Sequence, residues 1–207
     1  MPFSSTPSDS SSPPTFAGAC RDVTVLFSDL EGFTALTEQI PPQDVVGFLN
    51  RYFTAMADPL AAYGGRIDSY MGDAMLVVWD GLDPVQDARN AAQAALAMLA
   101  RMERLQRERL AEGKRPVKVR IGLSSGKAIV GEIGSPQFRQ WTVIGDVVNT
   151  ASRLEALNKQ FHTDILIADA TFRLIQPWAE VRALGPVTLK GRREALECFA
   201  LLDWRDA

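Results

Sequence analysis

The order of the apolar segments constrains the fold of this chain more strongly than any other feature of its sequence. Short β-branched runs of strand length alternate with longer segments in which apolar residues recur at helical spacing. We predict strands at 23–27, 66–70, 74–79 and 117–124, with helices at 44–62 and 84–112 between them. The resulting β-α-β-β-α-β order is that of a split βαβ unit.

The rest of the chain predicts further strands around a third helix. We expect a long hairpin at 128–143 with its loop at 134–136, a helix at 146–158, and strands at 164–167, 187–190 and 198–201, the last two around a Gly191 turn. We therefore predict an α+β fold with a ferredoxin-like βαββαβ core and extra C-terminal strands. The folded domain is expected to span 21–202. The Ser/Pro-rich tract at 1–18 has almost nothing to bury and is expected to be disordered.

Composition narrows the class of protein. With 207 residues, 46% of them hydrophobic, the chain suits one globular domain. A net charge of −3 provides no basic field, so nucleic acid is not expected as a partner.

Cys20 and Cys198 form neither a disulfide framework nor a zinc spacing. No membrane segment or signal peptide is recognisable, so we expect a cytoplasmic location, whether for a separate protein or for the cytoplasmic part of a longer membrane protein.

The positions of two aspartates relative to the predicted apolar strands suggest a metal site. Asp29 ends the first predicted strand, and Asp73 lies at the tip of the turn between the second and third. In a split βαβ sheet these two places can lie side by side. Two carboxylates on rigid neighbouring strands can hold two hard cations against a triphosphate. Aspartates at strand ends and hairpin tips also serve turns alone, so the pair is more informative than either residue.

Polar residues on the third helix and two lysines are further candidates for nucleotide contacts. Asn149 and Arg153 are four residues apart and share a helix face, where a solvated surface is the simpler interpretation of the pair alone. Lys127 and Lys190 each lie beside a glycine, and each could provide a point charge for phosphates.

Three segments together resemble the signature blocks of one enzyme family. FSDLEGFT at 27–34, MGDA at 71–74 and TVIGDVVNTASRLE at 142–155 are similar to those of the class III adenylate and guanylate cyclases, in the family's order and spacing. The similarity extends from about Arg21 to Leu202. It implies a nucleotidyl cyclase, which converts a nucleoside triphosphate to its 3′,5′-cyclic monophosphate and pyrophosphate.

The resemblance implies a role for each matching residue. The family forms head-to-tail dimers with sites at the interface, so a homodimer is expected here. Asp29 and Asp73 match the ligands of two divalent metal ions, Mg²⁺ or Mn²⁺, with the backbone carbonyl of Leu30 as a further ligand. Asn149 and Arg153 match the partner-supplied residues that orient the ribose and stabilise the transition state.

The phosphate and base contacts are implied in the same way. Lys190 matches the lysine that holds the terminal phosphates, and Lys127 lies where many members have an arginine for the same purpose. Ser69 and Thr142 occupy the base-selecting positions. Adenylate cyclases of the family usually have a lysine at the position of Ser69, whereas Thr142 matches bacterial adenylate cyclases. ATP is therefore favoured as the substrate, with GTP, UTP or CTP as alternatives.

Two other classes of protein share some of these features. A diguanylate cyclase or a polymerase palm domain uses similar carboxylates, but it has no need of the Asn149 and Arg153 pair or of the Leu-Lys-Gly at 189–191. A regulatory domain without activity would bind nucleotide or dimerise only. The presence of both aspartates and of the Asn/Arg pair argues against it, and the substitution at Ser69 is its one supporting feature.

Overall fold

The structure is a computed structural model that describes residues 18–135, 137–188 and 195–205. Within these ranges the elements are β1 (Gly18–Glu31), α1 (Phe33–Thr37), α2 (Pro42–Ala62), β2 (Arg66–Met71), β3 (Ala74–Trp79), α3 (Pro84–Ala111), β4 (Lys118–Gly134), β5 (Arg139–Ile144), α4 (Asp146–Phe161), β6 (Ile165–Ala168), α5 (Asp169–Ile175), β7 (Ala179–Val187) and β8 (Leu196–Trp204).

All the described strands form one sheet. Its order is β2-β3-β1-β4-β6-β8-β7, and β5 pairs with β4 outside this path. The pairs are antiparallel except for β4 with β6. The order β2-β3-β1-β4, with α2 and α3 as the connecting helices, is that of a ferredoxin-like unit. The predicted α+β fold and its ferredoxin-like core are confirmed.

The sheet has an apolar core on each face. On one face α2 and α3 cover the larger core, which includes the fully buried Leu26 and Met56. On the opposite face α4 covers a smaller core that includes Val25 and Val78. Val25 and Leu26 are consecutive residues of β1, so the alternation of the strand supplies both cores.

Helix α4 lies unusually close to β4. A Cβ atom on Gly122 would overlap the carbonyl oxygen of Ala151 and lie 2.5 Å from the amide nitrogen of Glu155. Only glycine allows the helix backbone to approach this strand so closely. This contact positions the helix that carries Asn149 and Arg153.

Two strands are longer than predicted. The prediction separates a strand at 117–124 from a hairpin arm that begins at 128, but β4 is continuous through Ser125, Gly126 and Lys127. Strand β1 begins at Gly18 rather than at Val23. Both differences have one cause, because the early part of β1 pairs with the later part of β4. The small and polar residues at 18–22 and 124–127 lack the apolar alternation from which a strand is predicted.

The C-terminal part also differs from the prediction. Of the strand predicted at 187–190, Val187 is the last residue of β7, which pairs with β8, and Thr188 is not in a strand, whereas 189–190 lie outside the described residues. Helix α5 was not predicted, because its seven residues are too few to show a clear period. The Gly191 turn and Lys190 lie outside the described residues. No helix within the described ranges has the length and hydropathy required to cross a membrane.

Candidate active site

The pairing of β1 with β3 brings Asp29 and Asp73 together. Ser28 lies opposite Met75 in this ladder, so Asp29 follows directly and Asp73 comes just before β3. The two carboxyl groups lie close enough for Asp29 to raise the pKa of Asp73. Asp73 Oδ2 also accepts a hydrogen bond from the backbone N–H of Leu30 over 3.3 Å. The last residues of β1 and the tip of the β2–β3 hairpin thus form one acidic site.

The proximity of the two acids changes their ionisation. Partial burial, the hydrogen bond to Asp29 and the negative charge of Asp29 raise the pKa of Asp73 to about 6. The hydrogen bond from the Leu30 N–H opposes this rise. A divalent cation between the carboxylates would remove their mutual repulsion, so the donor set fits a hard metal ion.

The protein alone offers such an ion few ligands. Within the described residues there is no group of three or more His, Cys, Asp or Glu side chains that could enclose a metal. Mg²⁺ is usually held by one or two carboxylates together with substrate phosphates. The Asp29–Asp73 pair fits this kind of site rather than a permanent structural metal site.

A third acidic residue, Glu155 of α4, lies close to this pair and was missed by the sequence analysis. It is 7% exposed. Burial and then the charge of Asp29 raise the pKa of Glu155 to about 7, while Arg120 opposes the rise. The sequence does indicate that Glu155 is buried, because this acidic residue falls on the apolar stripe of α4 with Ala151 and Leu154.

Tyr52 of α2 lies beneath the acidic site. Its side chain is fully buried. Burial, together with the charges of Asp29 and Asp73, raises the pKa of the Tyr52 hydroxyl well above its ordinary value. The phenol therefore remains neutral and forms part of the low-dielectric floor of the site. The helical spacing of the apolar residues in α2 predicts that Tyr52 is a core residue. Nothing in the sequence connects Tyr52 to the two aspartates.

Asn149 and Arg153 do not join the acidic site of their own subunit. Asn149 is exposed and Arg153 is half-buried on α4. Within the described residues, neither side chain has a hydrogen bond or ion pair with Asp29 or Asp73. Asn149 is therefore accessible on the surface of this chain, and Arg153 is partly accessible.

Lys127 is also far from the acidic site. It lies opposite Asp22 in the β1–β4 ladder, whereas Asp29 lies opposite Arg120. Seven residues of strand separate the two positions, roughly 23 Å. The Lys127 ammonium forms an exposed ion pair with Asp22 over 3.2 Å. Lys190, the other predicted phosphate ligand, lies outside the described residues.

The two predicted base-selecting residues lie near one another, on β2 and β5. The Thr142 hydroxyl donates a hydrogen bond of 2.7 Å to Oδ2 of Asp68, the neighbour of Ser69. Asp68 Oδ1 accepts a hydrogen bond of 3.1 Å from Arg66. A β-bulge between Ile67 and Ser69 accommodates Asp68. Sequence analysis missed Asp68, although an acidic residue within a strand is an unusual choice that calls for a partner.

An apolar surface extends from the sheet on the hairpin of β4 and β5. Ile129 and Ile144 face each other across this ladder and are 46% and 53% exposed. The other large apolar residues exposed on this β4–β5 arm (residues 129–144) are Ile133, Phe138 and Trp141. Clustered apolar exposure of this kind is typical of protein–protein interfaces.

This chain is similar to known proteins over most of its length. A family model described as the adenylate and guanylate cyclase catalytic domain matches residues 17–203. Adenylate cyclase 1 of Rhizobium meliloti is 35% identical over 185 residues, which are 88% of this chain and 28% of that protein. The chain thus spans less than a third of the length of this relative.

Two solved structures are similar over most of this chain. The adenylyl cyclase CyaB from P. aeruginosa has a TM-score of 0.85 and 31% identity, covering 91% of this chain and 97% of its own. The guanylyl cyclase Cya2 has a TM-score of 0.79 and 31% identity, covering 89% and 93%. The neighbours therefore include cyclases named for either purine.

Proposed function

Because this chain belongs to the adenylate and guanylate cyclase catalytic-domain family, we propose that it converts a nucleoside triphosphate to the 3′,5′-cyclic monophosphate and pyrophosphate. ATP is the favoured substrate. The observation that carries the proposal is the acidic site formed by Asp29 and Asp73. Carboxylates on two neighbouring strands match the requirement of phosphoryl chemistry for fixed, negatively charged metal ligands.

The proposed metal ligands are the two aspartates, supported by this geometry, and the Leu30 carbonyl, implied by the family. Asp29 and Asp73 would hold two divalent ions, Mg²⁺ or Mn²⁺, with the Leu30 carbonyl as a further ligand. When bound, such ions supply charge neutralisation at the phosphates and lower the pKa of a coordinated hydroxyl group. The hydrogen bond from the Leu30 N–H orients the Asp73 carboxylate towards its partner acid.

The remaining polar residues act on the nucleotide itself. The ribose 3′-oxygen attacks the α-phosphorus, and pyrophosphate leaves. Arg153 stabilises the charge that develops on the phosphoryl oxygens, and Asn149 orients the ribose. Lys127 and Lys190 neutralise the outer phosphates and so assist the departure of pyrophosphate.

A dimer supplies these groups from two subunits in this proposal. Within the described residues, Asn149 and Arg153 form no hydrogen bond or ion pair with Asp29 or Asp73, and Lys127 lies roughly 23 Å along the strand from Asp29. A head-to-tail homodimer would supply them to the acidic site of the partner and create two equivalent sites. The exposed apolar residues of the β4–β5 arm favour association with a second copy.

The choice of base is supported by the relatives and by Thr142. The first relatives compared are named adenylate cyclases, and so is the structure with a TM-score of 0.85. Guanylyl cyclases are also similar in structure, and Ser69 departs from the usual lysine. Cyclisation of GTP, UTP or CTP is therefore the alternative.

Product identification tests the proposal. Purified protein is incubated separately with ATP, GTP, CTP and UTP, with Mg²⁺ or Mn²⁺, and products are identified by mass spectrometry. We expect cyclic AMP from ATP and its loss in Asp29→Ala. A cyclic product from another triphosphate would correct the base only. If a folded dimer forms no cyclic product with either metal, a regulatory nucleotide-binding domain becomes the better account.

A further inference from the structure

Asp68 occupies a buried position whose role the cyclase reaction leaves unexplained. Its side chain is only 1% exposed. Both carboxylate oxygens are used, since Oδ1 accepts from Arg66 over 3.1 Å and Oδ2 accepts from the Thr142 hydroxyl over 2.7 Å. A carboxylate paired with a guanidinium, as Asp68 is with Arg66, can only accept hydrogen bonds.

The β-bulge gives Asp68 access to Thr142. Arg66 lies opposite Val78 and Ser69 lies opposite Leu76, and both of these partners belong to the core beneath α4. Arg66 and Ser69 therefore face the same side of the sheet, although an unbroken strand would place them on opposite sides. The extra residue of the bulge, Asp68, returns Ser69 to the same side of the sheet as Arg66. The Asp68 side chain contacts both Arg66 and Thr142.

The hydrogen bond to Asp68 determines what Thr142 can offer a ligand. A threonine hydroxyl has one proton and two lone pairs. The proton is committed to Asp68, so only lone pairs remain for a base. A carbonyl oxygen facing Thr142 would find no donor there, whereas an exocyclic amino group would find an acceptor.

We propose that Asp68 is a positioning residue that makes Thr142 an obligatory acceptor and thereby selects nucleobases with an amino group at purine position 6 or pyrimidine position 4. These are adenine, with its 6-amino group, and cytosine, with its 4-amino group. Guanine and uracil present a carbonyl oxygen at the corresponding atom and are disfavoured. The inference rests on the proposed function, because it places the base beside Thr142.

A series of purine triphosphates isolates this interaction. ATP, purine riboside triphosphate and inosine triphosphate carry an amino group, a hydrogen and a carbonyl oxygen at position 6. We expect kcat/KM to fall in that order for the wild-type protein. Asp68→Asn can donate its amide N–H to Thr142 and free the hydroxyl proton, so the ATP-to-inosine triphosphate ratio should fall about tenfold.

Matched variants separate positioning from folding. Thr142→Val should lower the ATP-to-inosine triphosphate ratio by a similar factor, whereas Thr142→Ser keeps the hydroxyl and should preserve the ratio. Asp80→Asn is the control, because Asp80 also pairs with Arg66, over 3.8 Å, and has no contact with Thr142. It should leave the ratio unchanged. Thermal melting identifies any variant that fails to fold.

Binding measurements keep this test independent of catalysis. The same nucleotides compete with a fluorescent ATP analogue for the wild type and each variant, and the ratio of their dissociation constants is compared. An unchanged ratio in Asp68→Asn overturns the role of Asp68, whatever Thr142→Val does and even if the protein forms cyclic AMP. Absence of any cyclic product rejects the proposed function instead, while the binding ratios still decide the inference.

Discussion

The backbone N–H of Leu30 donates a hydrogen bond to Oδ2 of Asp73 over 3.3 Å, which ties the end of the first strand to the hairpin between β2 and β3. This bond holds the Asp73 carboxylate next to Asp29. Without a cation, the arrangement opposes ionisation and raises the pKa of Asp73 to about 6. The acidic site is therefore held in a form that is unfavourable for the metal-free protein and favourable for metal binding.

Replacing Asp73 should change the thermal stability of the metal-free protein, because it removes the repulsion between the carboxylates of Asp29 and Asp73. Without metal at pH 8, Asp73→Asn should raise the melting temperature, because the variant avoids an ionised pair. Mn²⁺ should raise the melting temperature of the wild type and not that of Asp73→Asn. Differential scanning fluorimetry measures both effects, with the exposed Asp58→Asn as control. Equal stabilisation of the wild type and Asp73→Asn by Mn²⁺ would exclude Asp73 as a ligand.

Glu155 should make folding stability depend on pH. Its pKa rises from an ordinary value of 4.5 to about 7 in the folded protein, so folding favours the protonated acid. Stability from this residue is complete below about pH 4.5 and is lost as pH rises through about 7. Glu155→Gln should melt a few degrees higher than the wild type at pH 8 and show little difference at pH 4.5.

Urea unfolding across this pH range measures the Glu155 effect directly. The exposed Glu103→Gln on α3 serves as the matched control and should follow the wild type at every pH. A pH-independent difference between the wild type and Glu155→Gln would show that the residue acts through packing rather than ionisation.

The close approach of α4 to β4 should make Gly122 intolerant of a side chain. A Cβ at Gly122 overlaps the Ala151 carbonyl, whereas one at Gly126 lies 3.9 Å from Val147, an ordinary contact. Gly122→Ala should lower the free energy of unfolding by about 1–3 kcal/mol. Gly126→Ala, in the same strand, should have a much smaller effect. Denaturant titration compares them, and equal losses would contradict the close packing of α4 on Gly122.

Mixing two inactive variants should restore activity if each site uses two subunits. Asp29→Ala removes a proposed metal ligand, and Arg153→Ala removes a residue that we propose is supplied by the partner. In a randomly mixed population, half of the dimers are heterodimers, and one of their two sites is intact, so about a quarter of wild-type activity should return. Activity that stays at background while the subunits exchange would place both residues in one subunit's site.

Local patterns in the sequence predicted most of the elements that surround the site. The strand before Asp29, the hairpin with Asp73 at its tip and the helix with Asn149 and Arg153 all appear in the structure. These elements were predictable because their apolar periods are strong and their ends are marked by glycine, proline or aspartate. Strand β4 was divided in the prediction because the segment around Gly126 has no such period.

The contacts that give these residues their chemistry were not visible in the sequence. Glu155 appears as one more position on a helix, and its raised pKa arises only when α4 packs over Asp29. Asp68 is a polar residue in a strand until a β-bulge turns it towards Thr142. Both effects depend on electrostatics and hydrogen bonds between segments that are distant along the chain.

The sequence is sufficient to predict the ferredoxin-like core, the elements around the site and the family of this protein, because these depend on local periodicity and on short motifs. The β1–β3 register that places Asp73 against Leu30, and the distance that separates Lys127 from the acidic site, are known from the structure alone. Register and distance follow from hydrogen bonds between strands and from packing on both faces of the sheet. These interactions are non-local, so no single segment of the sequence specifies them.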